Sequence, residues 1–180
     1  RRMNRLMYYL PLVLLGILAV YFSAGLGRNP ATLESVLINQ QVPEFSLPPI
    51  EGSIKGFAKA DLKDQVVLVN IFGSWCKACW IEHPFLIDLK EKGVVPVYGI
   101  NWRESNRQAG PRWLKKFGDP YTLIGDDPKS KGAIAFGVSG APETFFVNKH
   151  GIIRYKHMGP MTEQNWNDTL KPILEALRKE

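Results

Sequence analysis

The sequence predicts an α/β protein: a mixed central sheet with helices on both faces, preceded by one N-terminal transmembrane helix. Three observations predict it. Residues Leu6 to Leu26 carry no charge and follow Arg1, Arg2 and Arg5. An apolar, β-branched run from Val66 to Phe72 leads into a helix-like segment that opens at Cys76. Beyond it, strand-like and helix-like segments alternate, then give way to a hairpin and a last helix. Strands separated by helices ask for parallel pairing through crossovers, and a hairpin adds antiparallel strands.

The first segment reads LMYYLPLVLLGILAVYFSAGL, 21 residues. At about 1.5 Å rise each they suffice for a hydrocarbon core of about 30 Å. The arginines in front put the N-terminus in the cytoplasm and the remainder outside it. Tyr8, Tyr9, Tyr21 and Phe22 sit near the two ends, where aromatic side chains favour the interface. Ser23-Ala24-Gly25 leave a cleaved signal peptide as the alternative. The apolar run exceeds a usual signal core, which favours a retained anchor. Residues 1–27 therefore read as the anchor, 28–41 as a linker and 42–180 as one domain.

Composition narrows the chemistry. The net charge is +6, but three of those charges crowd the first five residues. No Lys/Arg run is shaped to follow a phosphate backbone, so nucleic acid is not an expected partner. Two cysteines cannot build a disulfide framework. A bridge between residues three apart closes almost no loop and adds little stability. A packed core must stabilise the domain, which leaves the cysteines free for chemistry.

Along the domain, Val42 to Pro48 reads as a short edge strand limited by prolines. Gly52 to Ala60 reads as a loop or short hairpin. Val66 to Phe72 is a central strand buried on both faces, with Asn70 its polar exception. Gly73-Ser74 make the turn into the cysteine helix, which runs to about Lys92 and contains Pro84, a residue that kinks helices. Val94 to Asn101 is the next strand, with an awkward Pro96 inside it. Ser105 to Phe117 is a helix with Trp113, Leu114 and Phe117 on one face. Tyr121 to Ile124 is a strand, and Lys131 to Phe136 a short helix. Thr144 to Val147 and Ile152 to Lys156 form a hairpin around Asn148-Lys149-His150-Gly151. Thr162 caps a final helix to Lys179, with Leu170, Ile173, Leu174 and Leu177 as its buried stripe.

The only two cysteines, Cys76 and Cys79, stand where a strand hands over to a helix, which reads as a redox pair. At a helix N-terminus, free N–H groups and the helix dipole favour a thiolate. A Cys-X-X-Cys thiol there drops from about 8.5 to about 7 or below. Lys77 adds positive charge. Trp75 is placed to shield the thiol and contact substrate. A metal site would need a second pair of ligands, and His83, His150 and His157 are not spaced to supply it. Trp80 after Cys79 rules out a haem-attachment motif.

WCKACWIEHPFL followed by GVSGAPETFFVNKHGIIRYKHMGPMT resembles the thioredoxin fold. More narrowly it resembles the membrane-anchored DsbE/CcmG family of bacterial cytochrome c maturation. The resemblance covers about residues 42–180, and the anchor fits it. It implies that Cys76 attacks and Cys79 resolves. It implies that Pro142 is a cis-proline beside the disulfide, exposing the backbone of Ala141 to an extended substrate. Glu82 and Glu143 match acidic residues near the active site. Three positions depart from the pattern. Asn70 stands where many thioredoxins carry a buried aspartate, so Glu82 becomes the expected base for Cys79. Trp80 replaces a common basic residue, and Lys77-Ala78 is an uncommon dipeptide.

The resemblance further implies a single-pass protein of the bacterial inner membrane with its domain in the periplasm. It would reduce the CxxCH thiols of apocytochrome c, or a cytochrome c maturation thiol protein, with electrons from a membrane thiol reductant and no cofactor. The alternatives are a general membrane-anchored thioredoxin-like reductase or oxidase and a non-catalytic peptide- or copper-binding module.

Overall fold

The computed structural model describes residues 6–26 and 36–180, with side chains of the first helix described over residues 9–23. The chain divides into two units, residues 1–34 and 35–180. The arginine cluster and residues 27–35 lie outside the described residues.

In the first unit, α1 (Leu6–Leu26) is one continuous helix through Pro11. Its described side chains are exposed and almost all apolar, with Tyr21 and Phe22 edge to face. Among the described residues, no helix is long and apolar enough to cross a membrane.

The second unit is built on a five-stranded sheet of order β5-β4-β3-β6-β7. β3 (Val67–Phe72) is central and buried at every position. It pairs parallel with β4 (Val97–Trp102) and antiparallel with β6 (Glu143–Val147). β5 (Leu123–Asp127) extends β4 in parallel, and β7 (Ile153–Met158) closes the far edge antiparallel to β6. Successive β3 side chains point to opposite faces. Leu68 and Phe72 therefore enter one core with Leu86, Leu89, Trp113 and Leu174. Val67, Val69 and Ile71 enter a second core with Phe57, Phe136 and Phe145. This parity puts Asn70 on the face that carries the cysteine helix, α2 (Lys77–Glu91).

The edge strand expected over 42–48 shrinks to β1 (Ser46–Leu47), which pairs with β2 (Phe57–Ala58) as a separate hairpin. Pro96 lies just ahead of β4, so its missing N–H costs no ladder bond, and its carbonyl accepts from Leu68 at 3.0 Å. α3 (Ala109–Phe117) starts later than expected; Trp113 and Leu114 are buried, but Phe117 is 41% exposed.

β5 runs through Gly125-Asp126-Asp127, which the sequence reading places beyond the strand. The extension is bought by tertiary pairing: Asn101 faces Asp126 in register, and Asp126 N–H donates to Pro48 at 2.8 Å. Gly125 is required there, because a Cβ would stand 2.6 Å from Leu47 Cβ.

α4 (Lys131–Ala135) follows. The final helix breaks into α5 (Glu163–Asn165), a π-turn (Trp166–Leu170) and α6 (Lys171–Leu177). Thr162 caps it as expected, its hydroxyl accepting from Asn165 N–H. Residues 39–41, expected in the linker, are tied to the sheet edge instead. Asn39 N–H donates to Ile153, and Ile153 N–H donates to Gln40.

Candidate active site

The turn before the cysteines is held from both sides. Gly73 is needed because a Cβ would lie 2.4 Å from the Trp75 indole nitrogen. Ser74 donates through its backbone N–H (2.6 Å) and its hydroxyl (2.8 Å) to the two oxygens of Glu104. The Trp75 indole N–H donates to the Trp102 carbonyl at 2.9 Å, leaving half of the ring exposed. Cys76 then stands at the N-cap of α2 with extended backbone, and its sulfur accepts from Cys79 N–H at 3.1 Å.

Cys76 and Cys79 form a disulfide, their Cα atoms 5.3 Å apart. Cys76 is 4% exposed and Cys79 1%, so the first cysteine is the more exposed residue of the two. In the oxidised protein both cysteines are buried in the core cluster that also holds Phe72 and Trp113.

The Ala141–Pro142 bond is cis. Ala78, Ser139, Gly140, Ala141, Pro142, Glu143, Met158 and Gly159 border a groove of about 280 Å³ between the start of α2 and this loop. Pro142 is anchored from behind, its carbonyl accepting from Gly159 at 3.0 Å. Ala141 is half-buried.

Glu82 lies one turn beyond Cys79 on α2 and is almost fully buried. One carboxylate oxygen accepts from Asn70 Nδ2 at 2.8 Å, and the other from Met161 N–H at 3.0 Å. Burial pushes its carboxyl up to about 7, against the opposing pull of those two donors. A carboxyl poised there takes and returns a proton near neutral pH. Asn70 also donates to Thr144 Oγ1 at 3.0 Å and accepts from the Tyr121 hydroxyl at 2.8 Å. The residue that the sequence reading treats as a lost proton route is therefore the hub of the buried polar network under the helix.

Glu143 is expected to bind substrate, and it does border the groove, but it is almost fully buried and its carboxylate is taken up by neighbours inside the protein. It accepts from Ser139 N–H at 3.2 Å and from the Ser139 hydroxyl, and pairs with Lys156 at 3.0 Å. Lys156 in turn donates to the Gly137 carbonyl at 3.0 Å. Glu143 thereby ties loop 137–142 to β7 along the edge of the groove it borders.

Flanking α2 on the α3 side, Trp80, His83, Ile87, Trp113 and Phe117 line an apolar hollow of about 350 Å³. Trp80 is half-exposed, and its indole N–H donates to Ser74 at 3.0 Å. His83 is buried against Trp113, with ring centroids 4.2 Å apart. Its Nε2–H donates to Gly118 at 3.0 Å, and burial lowers its pKa, so it is a neutral packing group.

A family model described as Redoxin matches residues 37–173. The chain is 39% identical over 178 residues to the thiol:disulfide interchange protein DsbE of Pseudomonas aeruginosa, spanning 99% of this chain and 98% of that one. It belongs to the DsbE family. A second DsbE, from Pseudomonas fluorescens biotype C, is 41% identical over 175 residues and 97% of each chain. The fold is similar to that of a secreted thiol-disulfide isomerase from Corynebacterium glutamicum, with a TM-score of 0.65 and 23% identity over 82% of this chain and 96% of that one. Like its DsbE relatives the chain is a thiol–disulfide oxidoreductase with a thioredoxin-like fold, and Cys76 and Cys79 are its two cysteines.

Sequence reasoning overlooked Glu104, Tyr121, Thr144, Ser139 and Lys156 as parts of this DsbE-family site. One signal was present: a buried Asn in an apolar strand must find polar partners. Nothing local marked Glu104 or Lys156.

Proposed function

We propose that the chain is a membrane-anchored periplasmic reductant of cytochrome c maturation. It acts on the CxxCH thiols of apocytochrome c or on a maturation thiol protein, and a membrane thiol reductant recharges it. The observation that carries the exchange chemistry is the Cys76–Cys79 pair at the start of α2, with the cis-Pro142 groove beside it and Glu82 behind it. The uncharged 21-residue run and the arginines before it support the anchor and the periplasmic side. The DsbE relatives support the choice of pathway.

In the reduced protein the Cys76 thiolate attacks a substrate disulfide sulfur, and a mixed disulfide forms as the substrate's other sulfur leaves as a thiolate. Cys79 gives its proton to Glu82 and attacks Cys76. The second substrate sulfur leaves as a thiolate and is protonated. Two electrons pass to the substrate, and the Cys76–Cys79 bond is the oxidised product. Trp75 shields the bond from solvent, and the Ala141 backbone guides the substrate chain.

A Cys79→Ser variant expressed in a bacterium that makes c-type cytochromes, with trapped disulfides identified by mass spectrometry, tests the assignment. Apocytochrome c or a maturation thiol protein is the expected catch. A trap holding only unrelated clients, with c-type cytochromes intact in a strain lacking the protein, assigns a general reductase instead.

A further inference from the structure

We propose that Asn70 and Tyr121 are positioning residues for the exchange reaction: the Tyr121 hydroxyl holds the Asn70 amide in the one orientation that presents an N–H to Glu82. The proposal rests on the reading of Glu82 as the proton acceptor for Cys79.

Both polar atoms of the Asn70 side chain are engaged. Its two N–H groups go to Glu82 and Thr144, and its carbonyl oxygen accepts from Tyr121. All three partners are buried with it. A half-turn of the amide would set its oxygen against the Glu82 carboxylate, acceptor to acceptor. That arrangement suits only a protonated Glu82. The Tyr121 hydroxyl donates to the oxygen and so resists the turn. Asn70 thereby stabilises the charged form of Glu82, in opposition to burial.

Tyr121 is built into this position by three elements. Its ring stacks on Phe72 of β3, with centroids 4.5 Å apart. Its backbone N–H donates to Asp119 at 2.9 Å. Gly99 of β4 leaves the space for the ring, because a Cβ there would lie 2.9 Å from it. A tyrosine seated by a glycine, a stacked ring and an anchored backbone has little freedom to withdraw its hydroxyl.

The groups facing Glu82 are few. Cys79 shares its helix. Tyr121 comes from the segment before β5; burial and then the Glu82 charge push its hydroxyl well above the ordinary range, so it stays a donor. Asn70 from β3 and the Met161 amide from the segment before α5 are neutral. Among the described residues no Lys, Arg or His forms an ion pair with Glu82. The orientation of one amide therefore weighs heavily on where Glu82 titrates.

The test uses the reduced full-length protein in detergent, with glutathione disulfide as the probe. Single-turnover rates of Cys76–Cys79 bond formation are followed from about pH 5 to 9, with glutathione disulfide saturating at every pH so that closure by Cys79, not attack by Cys76, limits the rate. The rate rises with pH as Glu82 ionises. Losing a donor to a carboxylate raises its pKa, so the rise moves to higher pH. The expected shift is about half a unit for Tyr121→Phe and about one unit or more for Asn70→Ala, with the high-pH plateau kept within about twofold. Tyr121→Phe is the decisive variant, because it keeps the ring and the stack on Phe72. A urea titration of each variant confirms its fold. If the Tyr121→Phe profile lies on the wild type, or drops equally at every pH, the positioning role is wrong. Glu82→Gln separates the two readings. If it removes the rise while Tyr121→Phe leaves it in place, only the positioning proposal fails. If the rise survives Glu82→Gln, the reading of Glu82 as the base fails as well.

Discussion

Glu143 and Lys156 stand 3.0 Å apart on adjacent strands, with side chains 3% and 8% exposed. Their ion pair lies inside the protein, directly behind the loop that carries the cis-proline. Each is fully engaged: Glu143 also accepts from Ser139, and Lys156 also donates to Gly137. A pair of this kind adds little net stability over an apolar one, but breaking it strands a buried charge.

Lys156→Met should therefore cost about 3–5 kcal/mol in urea unfolding. The double variant Glu143→Gln/Lys156→Met should recover much of that loss, since no unpaired charge remains. Equal loss in the single and double variants would show that Lys156 acts by packing over Phe145, which lies 5.3 Å away.

Glu82 makes stability fall as pH rises. Its carboxyl is held at about 7 in the fold against an ordinary 4.5. Below 4.5 the folded and unfolded chains both hold the proton. Between 4.5 and 7 the unfolded chain ionises first, so the contribution is lost progressively, and above 7 it is gone. The loss is on the order of 3 kcal/mol across that window. Urea midpoints of wild type and Glu82→Gln, compared at pH 4.5 and 7.5, should show the downward slope in the wild type alone. Parallel slopes would contradict the buried carboxyl.

Glu104 braces the turn two residues before the attacking cysteine. Glu104→Ala removes both partners of Ser74 at once. The expected cost is about 1–2 kcal/mol, because the site is only partly buried. Hydrogen exchange should rise at the Ser74 amide and stay unchanged in β3. Unchanged protection at Ser74 would show that the turn is held by Trp75 and Trp102 alone.

Leu174 is fully buried between the final helix and the sheet. Leu174→Ala should cost about 2–5 kcal/mol through the cavity it leaves. The exchange rate with glutathione disulfide should stay within about twofold, since none of the groups around Cys76 is altered. A large rate loss in a folded variant would tie the helix to the chemistry.

Residues whose structure depends on near neighbours were legible. The central strand was read within one residue because its apolar run has no competing pattern. The helix start at Cys76 and the Thr162 cap follow from turn and cap chemistry that acts over three or four residues. The hairpin around Gly151 is of the same kind: its φ of 74° suits glycine at the turn. Errors fell where distant partners override local preference. Gly125-Asp126-Asp127 reads as a loop until Asn101, Pro48 and Leu47 pair with it or pack on it. Glu143 reads as an acid near the active site, and only the fold shows that Lys156 and Ser139 enclose it.

By itself the sequence determined the reaction centre: two cysteines one helical turn apart, at the end of a buried strand, with a later Ala-Pro-Glu-Thr-Phe segment. It also determined the order of strands and helices, since each is written in a periodicity that neighbouring residues share. Tertiary structure alone decided what surrounds that centre. Asn70 meets Glu82, Tyr121 and Thr144 across 12, 51 and 74 residues of chain. None of those pairings has a local signature. They follow from the strand parity that turns Asn70 toward α2, and from burial, which leaves each polar group no partner but the others.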